Sequence, residues 1–399
     1  MQQSKPVVPA VGVVAIVAVL VVVAAGALVM GQFLAGNPSQ TAAYSIAPGG
    51  ASGSPGLPLG SGAPGTGLLG SLQPRVTPGG PTAVPTPGSG SPAPSGQPAA
   101  QHFPGGLLIA DRLNNRLIVV NDAGAILWRF PVAGSLPPGE TFSADDAFID
   151  PNGKSIVANE EQNQVIVRID IATRKVVWEY GQFGQSGPGP GLLWNPDDAY
   201  PLANGDITVA DIKNCRILEI APDKSIVRQW GQTGVCADNA PTTYGQPNGD
   251  TPLPDGGMLV TEIYGARVVR LSSSGKVLFD IHVPLHYPSD AQLLADGNVL
   301  VVDYFTPGAL IVLDPKTGKV VYRYAPTSGK GKLSHPSLAL PLPDGTFVLN
   351  DDRRHRVVVI DPTTNAIVWT YGHTGKSGSA DGYLNTPDGM DVAAPGTFN

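Results

Sequence analysis

Residues 195–230 read NPDDAYPLANGDITVADIKNCRILEIAPDKSIVRQW, and this stretch sets the pattern for most of the chain. Asn195, Pro196, Asp197, Asp198 and Ala199 open a short apolar run that stops at Asn204 and Gly205. Both of those residues tolerate positive φ, which a two-residue hairpin turn requires. A second run, through Ile207, Val209 and Ala210, ends at Asp211, and Ile212, Lys213, Asn214, Cys215 and Arg216 form a polar loop. A third run covers 217–220, Pro222 and Asp223 turn the chain, and a fourth run from Ser225 ends at Trp230 before Gly231. Four strands of about 5 residues joined by turns, without a helical period, predict an antiparallel meander.

The unit recurs. Aligned on the acidic or amide residue that ends the second strand, copies fall at Asp111, Asn159, Asp211, Glu262, Asp303 and Asp351. A hairpin dipeptide precedes five of them: Asn152-Gly153, Asn204-Gly205, Asp255-Gly256, Asp296-Gly297 and Asp344-Gly345. The first copy lacks one, and Thr386, Pro387, Asp388, Gly389 and Met390 repeat the blade opening far downstream. The fold expected is therefore all-β: a six-bladed β-propeller over residues 105–396, closed by a C-terminal strand that completes the first blade. Closure pairs the edge strands that would otherwise invite association, and the propeller is expected to be monomeric.

Composition divides the 399 residues, whose net charge is −7. Residues 7–30 are apolar and uncharged, long enough to cross a hydrocarbon core of roughly 30 Å. They are expected to form an uncleaved transmembrane helix, the rival being a signal peptide. Residues 1–6, with Lys5, become a short cytoplasmic tail by the positive-inside tendency, which places the propeller outside the cytoplasm on a single-pass anchor. Residues 37–104, rich in Gly, Pro, Ser and Ala, cannot bury a core and are expected to be a disordered linker. The negative charge argues against nucleic acid as a partner, because no basic cluster tracks a phosphate backbone. The repeat geometry brings Cys215 and Cys236 to the same face, where a disulfide or two buried thiols are the alternatives, and an oxidising exterior favours the disulfide.

The loop Ala110, Asp111, Arg112, Leu113, Asn114, Asn115, Arg116, Leu117 resembles the signature of NHL-repeat propellers, and Ala210 to Ile217 repeat it. The hairpins at 314–322 and 361–369 resemble pyrroloquinoline-quinone-type propeller repeats. Together the resemblances span about residues 107–394 and imply the propeller fold. A bacterial arylsulfotransferase-like propeller is a comparison on the enzyme side, though its catalytic motif is not matched residue by residue. A quinone site is not implied, since quinone enzymes of this kind usually carry eight blades.

Several repeated residues are candidates for chemistry. Asp111 with Arg116, Asp211 with Arg216, Glu262 with Arg267, and Asp351 with Arg356 recur at a spacing that suits a structural ion pair fixing each loop. Trp128, Trp178, Trp230 and Trp369 fall on fourth strands and read as blade packing. The residue after each blade-opening proline, or its equivalent, is Asp388, Asp145, Asp197, Asn248, Ser289 or Ser337 in blades one to six. Symmetry gathers these six into a ring at the channel mouth. Asp388, Asp145 and Asp197 form an acidic arc, extended by Asp146, Asp198 and Asp290. Two readings fit the arc: side chains that cap strand-start amides, or oxygen ligands for Ca²⁺, the one cofactor the sequence suggests.

His286, His335, His355 and His373 fall on the same loop face. His335, His355, Arg353 and Arg354 are the catalytic candidates should the protein be an enzyme, either sulfotransferase-like or a metal-dependent hydrolase or lyase. The leading expectation is a membrane-tethered binding module for an extracellular protein, glycan or small ligand. The remaining alternative is a structural protein of the cell envelope.

Overall fold

The computed structural model describes residues 101–398, so the calls on residues 1–6, 7–30 and most of 37–104 lie outside the described residues. Among the described residues no helix is long and apolar enough to cross a membrane. The described residues form six antiparallel sheets arranged as the repeat requires. In blade 3 the strands are Pro196–Pro201, Ile207–Asp211, Arg216–Ile220 and Ile226–Trp230, from the innermost outward. Blade 1 takes its inner strand, Pro387–Val392, from the far end of the sequence and pairs it with Leu107–Asp111. The backbone N–H of Ala393 donates to Gly106 O at 2.9 Å, so the entering and leaving segments lie side by side on the hairpin face.

Burial explains why the second strands read as unbroken apolar runs. Leu107–Asp111, Ile207–Asp211, Met258–Glu262, Val299–Asp303 and Phe347–Asp351 are buried along their whole length. A sheet packed between two others has both faces covered, which removes the alternation that a half-exposed strand would show. The outer strand of blade 4 keeps it: Val277–His282 alternates between half-buried and exposed positions. Outer-strand tryptophans tie neighbouring blades together. Trp128 Nε1 donates to Ile171 O at 3.0 Å, Trp178 Nε1 to Pro222 O at 2.9 Å, and Trp369 Nε1 to Asp122 O at 2.9 Å.

Two expectations need correction. In blade 2 the repeat carboxylate is Glu160, the last residue of Ser155–Glu160, and not Asn159. Glu160 Oε2 accepts the Ser143 N–H at 2.9 Å, as Asp211 Oδ1 accepts that of Trp194 and Asp351 Oδ1 that of Ser334, both at 2.7 Å. Asn159 instead donates through Nδ2 to Pro196 O of the next blade at 3.2 Å. Blade 4 departs from the four-strand pattern, with three strands in its sheet. Its inner segment touches the sheet only through isolated bridges, Pro247 with Glu262 and Pro252 with Met258. Proline supplies no N–H to a ladder, so a segment carrying Pro247, Pro252 and Pro254 cannot pair continuously.

Candidate functional site

The inner strands open with consecutive polar residues, and a plain strand would send alternate side chains to opposite faces. A local irregularity changes that. The register shifts between Asp197 and Tyr200 in blade 3, between Pro288 and Ala291 in blade 5, and beside Ile109 and Asp111 in blade 1. Such a bulge re-aims side chains. Asp198 adopts φ +44, in the left-handed region, as part of this turn. Glycine in neighbouring blades leaves the space: a Cβ on Gly389 would meet Asp146 Oδ1 at 2.4 Å, and one on Gly249 would meet Asp198 Oδ2 at 2.9 Å.

All six expected ring residues, Asp388, Asp145, Asp197, Asn248, Ser289 and Ser337, are buried at the start of the inner strands. Hydrogen bonds run from blade to blade around them. Asn248 Nδ2 donates to Ser289 O at 3.2 Å, and Ser337 Oγ donates to Asp388 O at 2.9 Å. The acidic arc has a guanidinium on one side. Arg112 Nη1 is 2.6 Å from Asp388 Oδ2 and also pairs with Asp145, while Nη2 pairs with Glu161. Asp388 and Asp145 thus both pair with Arg112, and the three carboxylates close enough to share one ion are Asp145, Asp146 and Asp197.

The electrostatics follow from this arrangement. Burial pushes Asp388 upward, but the Arg112 charge together with hydrogen bonds from Asp145, Arg112 and Ser337 holds the carboxyl below its usual range. Burial raises Asp145 well above the ordinary value, with Arg112 opposing. Asp197 and Asp198 are raised by burial and then by the charge of Asp146. Asp146 is raised to about 7 by burial and the Asp388 charge, and Asp290 to about 6 by burial. The Tyr287 hydroxyl donates to Asn248 Oδ1, and burial raises the Tyr287 and Tyr304 phenols, with the charges of Asp197 and Asp352 respectively adding to it.

Arg112, Glu161, Tyr304 and Asp352 escaped the sequence reading. The signal was present, because each directly follows the carboxylate that ends a second strand, at a position where the six blades differ. One residue further lie Leu113, Gln162, Lys213, Tyr264, Phe305 and Arg353, one per blade on the loop face. Leu113, Tyr264 and Phe305 are exposed to 59%, 49% and 41%, and Trp194, on the loop entering blade 3, to 42%. His286 stacks on Phe305 with ring centroids 4.0 Å apart.

The candidate histidines are individually engaged. His355 Nδ1 accepts the Thr386 N–H at 3.2 Å, His286 Nδ1 lies 3.0 Å from Asp303 Oδ2, and His335 Nδ1 lies 3.0 Å from Thr306 Oγ1. Burial and then the nearby Arg353 charge lower both His335 and His355. Arg354 Nε is 4.0 Å from Asp351 Oδ2, so Arg354 faces the structural carboxylate, while Arg353 is exposed. The expected disulfide is formed between Cys215 and Cys236, with Cα atoms 5.2 Å apart. Separately, a groove of about 440 Å³ lies between blades 3 and 4, lined by Asn204, Arg228, Trp230, Pro252 and Met258, away from these groups.

Sheet order, closure and the axial ring define a six-bladed β-propeller. A family model of PQQ-like repeats, described as outer membrane protein assembly factor BamB, matches residues 224–389. No curated protein matches the chain. Among solved structures, a protein of unknown function from Bacteroides caccae is 16% identical, with a TM-score of 0.52 over 72% of this chain and 98% of that one. A chain of a nidogen/laminin complex is 14% identical, with a TM-score of 0.52 over 73% of this chain and 98% of that one. Virginiamycin B lyase from Staphylococcus aureus is 17% identical, with a TM-score of 0.46 over 68% of this chain and 85% of that one. At such identities the likeness is one of fold.

Proposed function

We propose that this protein is a membrane-tethered propeller that binds a protein or glycan ligand outside the cytoplasm through the rim of its loop face. The observation that carries this reading is the ring Leu113, Gln162, Lys213, Tyr264, Phe305 and Arg353. The neighbouring carboxylates are nearly constant from blade to blade and serve the fold, whereas these six differ and are mostly exposed. Exposed aromatic tips flanked by cationic side chains supply contact area with little side-chain entropy to lose, as recognition surfaces do. The apolar stretch at 7–30 supports the anchor, and the Cys215–Cys236 disulfide supports an oxidising compartment.

The test is binding of the labelled fragment 101–399 to cell envelopes, with and without Tyr264→Ser and Phe305→Ser. Saturable binding that the double variant weakens at least tenfold supports the reading, whereas binding unchanged by it removes the rim from the account. Incubation with aryl sulfates and lactones, with and without EDTA, addresses the enzyme alternative at His335, His355, Arg353 and Arg354. Turnover there would replace the binding-only reading.

A further inference from the structure

The channel carries far more negative than positive charge. Asp145, Asp146, Asp197, Asp198, Asp290, Asp352 and Asp388 are all buried around the inner strands. Arg112 is the guanidinium that reaches into them, and its contacts are Asp145, Asp388 and Glu161. Neither Asp146 nor Asp197 forms an ion pair with it. One oxygen from each of Asp145, Asp146 and Asp197 lies within 4.8 Å of the other two. Two oxygens on opposite sides of one Ca²⁺, each roughly 2.4 Å from it, are about 4.8 Å apart, so a single ion can bridge such a set.

A second observation points to the same place. Asp198 is only 3% exposed, and its Oδ2 has no hydrogen-bond partner. Buried polar atoms are ordinarily paired, and an orphan calls for an explanation. The neighbouring charge acting most strongly on Asp198 is that of Asp146. An unpartnered carboxylate between Gly249 and the Asp146 charge adds an oxygen donor beside the trio, and hard cations take oxygen ligands in numbers of six to eight and complete the shell with water. The trio keeps a thin connection to solvent, with Asp145 and Asp146 at 5% exposure and Asp197 at 8%.

We propose that Asp145, Asp146 and Asp197, backed by Asp198, bind one Ca²⁺ ion per chain inside the channel, beside the ion pairs of Arg112. The ion links blades 2 and 3 at their innermost strands and draws the two openings together.

The purified full-length chain, stripped with EDTA, is titrated with Ca²⁺ by calorimetry and its thermal unfolding followed. One ion bound per chain, with a melting temperature that rises with Ca²⁺ concentration, is expected, since an ion that binds the folded state alone stabilises it by mass action. Asp146→Asn with Asp197→Asn should abolish both effects while the variant melts in EDTA no lower than the native chain. If that pair fails to fold, Asp198→Asn alone should weaken binding about tenfold, given the charge dependence of Ca²⁺ affinity. An absence of binding heat with an unchanged melting temperature at millimolar Ca²⁺ would overturn the proposal. So would full binding by the double variant, or a site that takes Mg²⁺ and refuses Ca²⁺.

Discussion

Asp111 Oδ1 accepts the backbone N–H of Asn385 at 2.7 Å, across 274 residues of sequence. The other oxygen, Oδ2, receives Arg116 Nε and Asn114 Nδ2, each at 2.7 Å. One carboxylate thus holds the loop of its own strand pair and the opening of the strand that closes the ring. Its repetition in the other blades is why the acid and arginine spacing stands out in the sequence.

Removing this carboxylate should be costly. Asp111→Ala takes the partner from the Asn385 N–H and from Arg116 Nε, while the half-buried guanidinium keeps Ser379 O and Tyr383 O, so a loss of about 2 kcal/mol is expected, in the range for leaving a buried donor unpaired. The exposed pair of Arg129 and Asp381, at 47% and 67% exposure, is the control, and Arg129→Ala should cost less than about 1 kcal/mol. Urea unfolding of both variants checks the contrast, and equal losses would deny Asp111 its closing role.

Truncation tests the same seam in another way. Deleting 386–399 removes the inner strand of blade 1 and exposes the edge of Leu107–Asp111. The truncated chain should melt at a lower temperature and self-associate in sedimentation experiments, because an open edge pairs with other chains.

Blade 4 yields a pH prediction. Arg267 pairs with Asp280, leaving its Nη1 3.8 Å from Glu262 Oε1, an oxygen without a hydrogen-bond partner. Burial raises Glu262 from 4.5 to about 7, against the Gly245 N–H and Arg267, which pull it down. The folded chain therefore binds more protons than the unfolded chain between these values. The contribution is fully present below pH 4.5, falls as pH rises through the window, and is gone above about 7. Glu262→Gln removes this dependence. Relative to the native chain, the variant should gain up to about 3 kcal/mol on going from pH 4.5 to pH 8. Urea midpoints at the two pH values decide it, and parallel profiles would show that Glu262 titrates normally.

The disulfide closes a loop with a sequence separation of 21. Chain-entropy arguments give about 3 kcal/mol for a loop of this size. Cys215→Ser with Cys236→Ser should lower the urea midpoint accordingly, and dithiothreitol should do the same to the native chain while leaving the variant unchanged.

The blades were legible because each repeats a hairpin dipeptide, an acid and an apolar run, and the closing strand because Thr386 to Met390 copy an opening found elsewhere. The ring at Asp388, Asp145 and Asp197 followed from symmetry alone. What symmetry cannot supply is what breaks it. Arg112 stands where other blades place Glu161, Ile212, Ile263, Tyr304 or Asp352, and only the three-dimensional packing shows that it reaches Asp388 and Asp145. The Asn159 alignment failed for a related reason, since Asn159 and Glu160 are both polar and only the hydrogen bond to Ser143 N–H tells them apart. The three prolines of blade 4 were visible, yet their effect on its inner strand depends on which N–H groups the ladder needs.

The central claim is that the loop face, opposite the hairpin face where the chain enters the propeller, is where a partner docks. A photo-crosslinking side chain placed at position 305 on the loop face, or at position 204 in a hairpin turn, is read in intact cells carrying the full-length chain. The account predicts a discrete adduct at 305 that excess fragment 101–399 competes away, and none at 204. Adducts at 204 with none at 305 would contradict it.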